Sequence, residues 1–232
     1  MSNIVTAQNG DAMDDLVIFG TGGFARETHQ IVDDLNQDVA KWHLLGFLDE
    51  DVENHNAELY GLPVLGGAKW VKQNPQAAIV VAIANPAIRR RIVLDLLQAG
   101  HTRFATLIHP LVWMSNGVDI GPGTVIDAGA LISPDVRIGD HVILNNNCTI
   151  GHDTVVESYA TIAPNASVSG KVLVGQGCDL GANCTIIQER SIGGWSIIGA
   201  GAVVVQDVPS NVTAVGVPAK VIKKRAQGWY ER

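Results

Sequence analysis

Positive charge is in short supply. Sixteen Lys and Arg face twenty-three Asp and Glu, for a net charge of −7. No basic stripe offsets that balance, which argues against a nucleic-acid partner. Long apolar runs are missing too: nothing approaches the roughly 18 residues of a membrane span. Cysteine is limited to Cys148, Cys178 and Cys184. All three fall at small, inward-facing places of the pattern described below. They read as buried core residues, with no disulfide framework and no metal site. Such usage fits a reducing cytoplasm. Residues 1–15 are polar and acidic without an apolar centre. They do not read as a secretory signal and are expected to form a disordered tail. Aromatics make up only 5% of the 232 residues.

What is present is a period. From Ile108 to Val204, every sixth residue is aliphatic, seventeen times without an insertion. The place four residues later is mostly small or β-branched, as in Thr124, Ala130, Val136 and Cys148. A helix would repeat its apolar face every 3.6 residues or so, and a half-buried strand about every 2. A strict six fits short strands separated by turns. Three hexads close one triangular coil, and stacked coils bury the aliphatic column in a narrow prism. Residues 108–215 are expected to form this prism, and its seventeen hexads over 108–209 make five to six coils, about 27 Å long at about 4.8 Å per coil. A narrow interior has no room for large rings, which accounts for the scarcity of aromatics.

Residues 16–107 read differently. Leu16–Gly20 is a strand, followed by the glycine turn Gly20-Thr21-Gly22-Gly23-Phe24-Ala25 and a helix over Arg26–Leu35. Glycines at a helix N-terminus let the backbone approach a phosphate. His43–Leu48 is a second strand, ending in Asp49-Glu50-Asp51, where carboxylates are placed to accept hydrogen bonds from a ribose or a base. Leu62–Leu65 is a short strand and Gly66–Lys72 a short helix. A third strand spans Ala78–Ala84, Asn85-Pro86 opens a helix to Ala99, and a last strand runs over Arg103–Ile108. Such alternation predicts a small Rossmann-like α/β domain, too small for a two-halved dinucleotide fold. A nucleotide or nucleotide sugar is favoured over NAD. Residues 216–232 are expected to close the prism and end in a short helix over Val221–Arg232.

Three histidines lie in the repeat. His109 begins the first coil, and His141 takes a mid-hexad place expected to be exposed. His152 sits at a corner, with Asp153 directly after it. Residues eighteen apart stack, so Pro134, Gly170 and Gln188 lie above and below His152. The neighbouring ladder reads Asp127, Asn145, Ala163, Gly181, Gly199. Both ladders shrink towards the C-terminal end. Gly170, Gly181, Ala182 and Gly199 are therefore expected to edge a groove that admits a pantetheine arm. A base beside a carboxylate at such a groove suits acyl transfer.

The hexads resemble those of the hexapeptide-repeat acyltransferases, which implies a left-handed parallel β-helix. Residues 16 to about 224, with the glycine turn first and the His-Asp pair in mid-helix, resemble the NeuD/PglD-like sugar acetyltransferases. The resemblance implies acetyl-CoA as cosubstrate, no metal, and a homotrimer with sites between subunits. It implies His152 as proton acceptor, Asp153 as the acid that raises its basicity, and Asn145 as the family's asparagine seven places before the base. Sugar-nucleotide contacts map onto Gly22, Gly23, Asp49 and Glu50; Phe24 and Asn85 complete the expected acceptor set. Gly216–Lys220 resembles the closing motif near the acetyl-CoA nucleotide. Two places depart from the family. Phe24 stands where the N-acetyltransferases often have His, and Thr161 where some members have a histidine touching acetyl-CoA.

The expected function is N-acetylation of a nucleotide-linked amino sugar by direct transfer. Alternatives are a sialic-acid-type O-acetyltransferase on the same base, a metal-dependent hydratase of the same fold, and a non-catalytic scaffold.

Overall fold

The computed structural model describes residues 13–38, 40–55 and 57–231. Of the disordered tail expected over residues 1–15, residues 1–12 lie outside them, while Asp14 and Asp15 are ordered in the first strand. β1 (Asp14–Phe19) starts two residues before the expected Leu16, because Asp14 and Asp15 already pair with Trp42 and His43. After β1 come α1 (Gly23–Asp38), β2 (Trp42–Leu48), the hairpin strands β3 (Glu58–Leu59) and β4 (Leu62–Pro63), α2 (Ala68–Gln73), β5 (Ala78–Val81) and α3 (Pro86–Gln98). β2, β1 and β5 form a three-stranded parallel sheet with β1 central. Its strands are near-continuous apolar runs because both faces are covered. Asn85 caps α3, its Oδ1 accepting from the N–H groups of Ala87 and Ile88 at 3.0 and 3.1 Å, with Pro86 in the first turn.

The strand expected over Leu62–Leu65 ends at Pro63, with Val64 making only a bridge to Phe47. Two further expected strands are shorter. The third stops at Val81, and the stretch expected over Arg103–Ile108 reduces to a Phe104 bridge to Ile79 plus β6 (Leu107–Ile108). At both places the chain turns away from the sheet towards the second half.

That half is a left-handed β-helix. Seventeen two-residue strands, β6 through β22 (Val203–Val204), follow at six-residue intervals, one per hexad. They stack into three parallel sheets, which make the faces of the prism. Residues eighteen apart pair, as Leu131 does with Thr149 and Ile132 with Ile150. The period is a turn property. Asp135, His141, Asn147, Asp153, Tyr159 and Asn165 all have positive φ. A left-handed residue every six turns the chain by one face, and Asp, Asn and Gly tolerate that conformation best. Inside, Ile132, Leu144, Ile150, Ile162 and the three cysteines are fully or almost fully buried.

The first face carries β6 and ends in β23 (Val212–Val215) and β24 (Lys220–Lys224). The α/β domain covers it: Val125 and Ile143 of this face share an apolar cluster with Phe24, Ala25 and Phe47. The second face carries β13 (Thr149–Ile150), and the third carries β14 (Val155–Val156). The helix expected over Val221–Arg232 does not form. β24 pairs antiparallel with β23, and only Trp229–Glu231 makes a helical turn. The open edge of the prism offers this segment backbone partners, which an isolated short helix would lack.

Candidate active site

His152 and Asp153 occupy the corner between the second and third faces. Asp153 holds the left-handed place with φ 58°, which turns its carboxylate back onto the preceding ring. His152 Nδ1 lies 2.7 Å from Asp153 Oδ2, and both side chains are more than half exposed. With the carboxylate accepting, Nδ1 carries the proton and Nε2 keeps its lone pair. Backbone bonds hold the corner from both sides: Asp153 N donates to Pro134 O at 3.2 Å, and Lys171 N to His152 O at 2.8 Å.

The ring rests on Gly170. A methyl group there would come within 2.6 Å of His152 Nε2. Gly170 was expected to contact a cosubstrate; here it leaves room for the imidazole. A shallow groove runs along the second face to this corner. It is lined by Trp113, Leu131, Thr149, Gly151, Ser167 and Ser169 among others. Apolar walls with hydroxyl groups suit an extended pantetheine chain.

The groove lies towards the N-terminal coils, and Gly170, Gly181, Ala182 and Gly199 do not line it. Two of these glycines answer to their own chain. A side chain at Gly181 would strike Ala200 N at 2.5 Å, and one at Gly199 would strike Val215 Cγ1 at 2.7 Å. The tapering ladder thus reflects close coil stacking. Ala182 is half-buried, its carbonyl accepting from Gly201 N at 2.8 Å.

Asn145 sits at the other edge of the second face, in the corner between β12 (Ile143–Leu144) and β13. It is almost fully buried, and its Nδ2 donates to Ile162 O at 3.0 Å. Within one chain it therefore stands a face away from His152. α1 lies along the Asn145 corner. His109 Nε2 meets Asp34 Oδ2 at 2.9 Å. One coil further on, Asp127 acts on Glu27, whose carboxyl is held above its usual range by burial and by that second carboxylate. The order 34 to 109, then 27 to 127, carries the glycine turn towards Asn145.

The carboxyl edge of the parallel sheet gathers much of the expected acceptor set. Gly22 and Gly23 are exposed, and Gly23 opens α1. Asp49 accepts from Thr21 Oγ1, from Asp51 N at 2.9 Å and from Asn54 Nδ2 at 3.1 Å. Glu50 pairs with Arg91 at 2.5 Å. Asn85 spends its oxygen on capping α3, and among the described residues its amide nitrogen has no partner. Phe24 differs from expectation: its ring is in the core, 9% exposed, leaving only its backbone near the turn.

His141 also differs. Expected to be exposed, it is buried under Phe104 and stacked on Tyr159 at 5.6 Å between ring centroids. Burial, with Arg89 nearby, pushes it down to about 4. His109, His141 and His152 occupy three different corners of the prism, so they cannot converge on one ion. Sequence reasoning missed Arg89. It is completely buried on α3, and no hexad or strand pattern marks it. Among the described residues, no helix is long and apolar enough to cross a membrane.

Residues 15–96 match the family described as PglD N-terminal domain, and residues 117–152 match the bacterial transferase hexapeptide family. A variant of perosamine N-acetyltransferase from Caulobacter crescentus, in complex with CoA and GDP-perosamine, is 28% identical. The match covers 92% of this chain and 99% of that one, with a TM-score of 0.82. The acetyltransferase domain of PglB from Neisseria gonorrhoeae, in complex with acetyl coenzyme A, is 29% identical over 91% of this chain and 100% of that one, with a TM-score of 0.81. A curated serine acetyltransferase from Buchnera aphidicola is 32% identical over 138 residues, 59% of this chain and 45% of that protein. The chain thus spans less than half the length of that curated relative.

Proposed function

For a chain that belongs to the PglD/NeuD-like family of hexapeptide-repeat sugar acetyltransferases, we propose transfer of an acetyl group from acetyl-CoA to the amine of a nucleotide-linked amino sugar. One observation carries this reading. His152, oriented by Asp153 and seated on Gly170, stands at the end of a groove suited to pantetheine. The structural relatives bound to CoA, GDP-perosamine or acetyl coenzyme A support it.

In the proposed mechanism the donor thioester lies along the second face with its carbonyl beside His152. Nε2 takes a proton from the acceptor amine as nitrogen attacks that carbonyl. The tetrahedral intermediate collapses, the carbon–sulfur bond breaks, and the CoA thiolate takes up the proton. Asp153 holds Nδ1–H throughout, so that Nε2 faces the acceptor. Backbone N–H groups of the corner are suited to the oxyanion. No covalent acetyl-enzyme is needed.

The acceptor's nucleotide is assigned to the sheet edge formed by Gly22, Gly23, Asp49, Glu50 and Asn85. That edge leans towards the Asn145 corner, across a face from His152 of the same chain. A homotrimer, in which one chain's acceptor meets another chain's His152, closes this gap. We place the reaction in the cytoplasm, in keeping with three unpaired cysteines.

The test is free-thiol release from acetyl-CoA with UDP-, GDP- and dTDP-linked 4-amino sugars and free sialic acid. Release with one nucleotide amino sugar, falling by about 10²–10⁴ in a folded His152→Ala variant, is expected. Release with sialic acid alone selects O-acetylation. Undiminished turnover in His152→Ala refutes the base, and silence with no acetyl-CoA binding refutes the enzyme.

A further inference from the structure

Arg89 is the largest fully buried side chain among the described residues, with no exposed surface. Among the described residues no carboxylate lies within bonding distance, although the charge of Asp179 acts on it; its fork is satisfied by oxygens of two separate bodies. From the α/β domain, the carbonyls of Ile83 and Ala84 accept from Nη1 at 2.6 and 3.0 Å. From the prism, the His141 carbonyl accepts from Nε at 2.9 Å, and Nη2 reaches Tyr159 O, Ala160 O and Thr161 Oγ1 at 2.7, 3.1 and 3.0 Å. Thr161 Oγ1 also donates to Ala84 O at 2.9 Å, so loop and prism are tied twice. The carbonyls of His141 and Tyr159 take no backbone N–H among the described residues.

The tied loop is the wall of the assigned acceptor edge. Ile83 and Ala84 lead from β5 into the Asn85 cap of α3. β5 neighbours β1, and the loop touches the glycine turn: a side chain at Gly20 would come within 2.9 Å of Ile83 Cδ1. A buried ion is a poor choice for stability alone, because an apolar side chain of similar volume is often as good or better. What a guanidinium adds is direction, since its planar donors fix the oxygens around it in one arrangement.

We propose that Arg89 is a positioning residue that sets the acceptor-loop residues Ile83–Asn85 against the prism, so that the acceptor edge keeps one placement relative to the acyl-transfer corner. The proposal rests on the assignment of the acceptor to this edge. It leaves the acetyl-CoA groove on the second face untouched, since Arg89 contacts the corner between the first and third faces.

The test compares wild type, Arg89→Lys, Arg89→Met and the milder Thr161→Val, which keeps the arginine. Calorimetry measures Kd for UDP, GDP and CoA, and hydrogen exchange follows the amides of residues 83–88. Whichever nucleotide binds wild type is expected to bind the arginine variants about 10-fold or more weakly, and Thr161→Val a few-fold more weakly. CoA affinity is expected to stay within about two-fold, with lysine milder than methionine. Exchange over residues 83–88 is expected to quicken while the prism coils stay protected. Equal losses for nucleotide and CoA, or unchanged nucleotide binding in a folded variant, overturn the proposal. If neither nucleotide binds wild type, the acceptor assignment fails instead. Exchange then decides whether Arg89 holds the loop: unchanged protection in folded Thr161→Val and Arg89→Lys would refute it.

Discussion

Two corners of the prism carry the same pair of residues in opposite order. One reads Ile138-Gly139-Asp140-His141, the other Ile150-Gly151-His152-Asp153. The fourth place of each is left-handed, with φ 52° at His141 and 58° at Asp153. Order therefore decides which side chain enters the stacking column. His141 takes the left-handed place and lies on Tyr159. Asp153 takes it at the other corner and turns to hold His152. The next coil completes the contrast. Under Asp140 is Ser158, whose hydroxyl accepts from Asp140 N at 3.0 Å; under His152 is Gly170, which leaves space for a ring. The α/β domain then covers the first corner and leaves the second open. A histidine in this fold becomes a buried strut or an exposed base according to its place in the hexad, the size of the residue one coil on, and what docks outside.

The sharpest way to break the contrast is to fill the floor under His152. Gly170→Ala puts a methyl within 2.6 Å of Nε2, and the ring has to move because the coil backbone cannot. Turnover is expected to fall about 10²-fold, as a misplacement near 1 Å can cause. The melting temperature should hardly change. A large stability loss with normal specific activity would contradict this account.

The buried corner is tested through pH. His141 is held near 4 against an ordinary value near 6.5. Its folded value is depressed, so the folded state resists protonation while the unfolded state does not. Its contribution is complete above about 6.5 and is lost as pH falls from there towards 4. Between pH 7 and pH 5 this costs roughly 2 kcal/mol. His141→Asn, which tolerates the left-handed place, should flatten that part of the stability curve in chemical denaturation. An unchanged slope would remove His141 as its source.

Asp153→Asn is a smaller probe. Asn accepts the left-handed turn and can still accept from Nδ1–H, but it lacks the charge. The pair is more than half exposed, so screening limits the loss. A fall of about 10-fold in kcat, with KM for acetyl-CoA unchanged, is expected from steady-state kinetics.

The smallest effect belongs to the interior shared by both corners. Burial pushes the Cys148 and Cys178 thiols up to about 12, and Cys184 to about 11. A maleimide should label none of them in the folded protein at pH 8, and all three in denaturant.

What the chain determined unaided is what spacing alone can encode. The six-residue period places one aliphatic residue inside and one turn residue at each corner. Eighteen residues place one side chain over the next, so the His152–Gly170 contact follows from covalent spacing. The order His152-Asp153 is likewise local, and so is the glycine turn ahead of α1. Docking decided the rest. Burial of apolar area is non-directional, so nothing in the repeat marks which face the α/β domain will cover. That choice buried His141, drew Phe24 into the core, and brought prism oxygens 52 to 72 residues away in the chain onto Arg89. The closing strand β24 has the same origin, since its partner edge exists only once the coils have stacked. Periodicity reports what neighbours in a coil share; contacts between separately folded bodies leave no period to read.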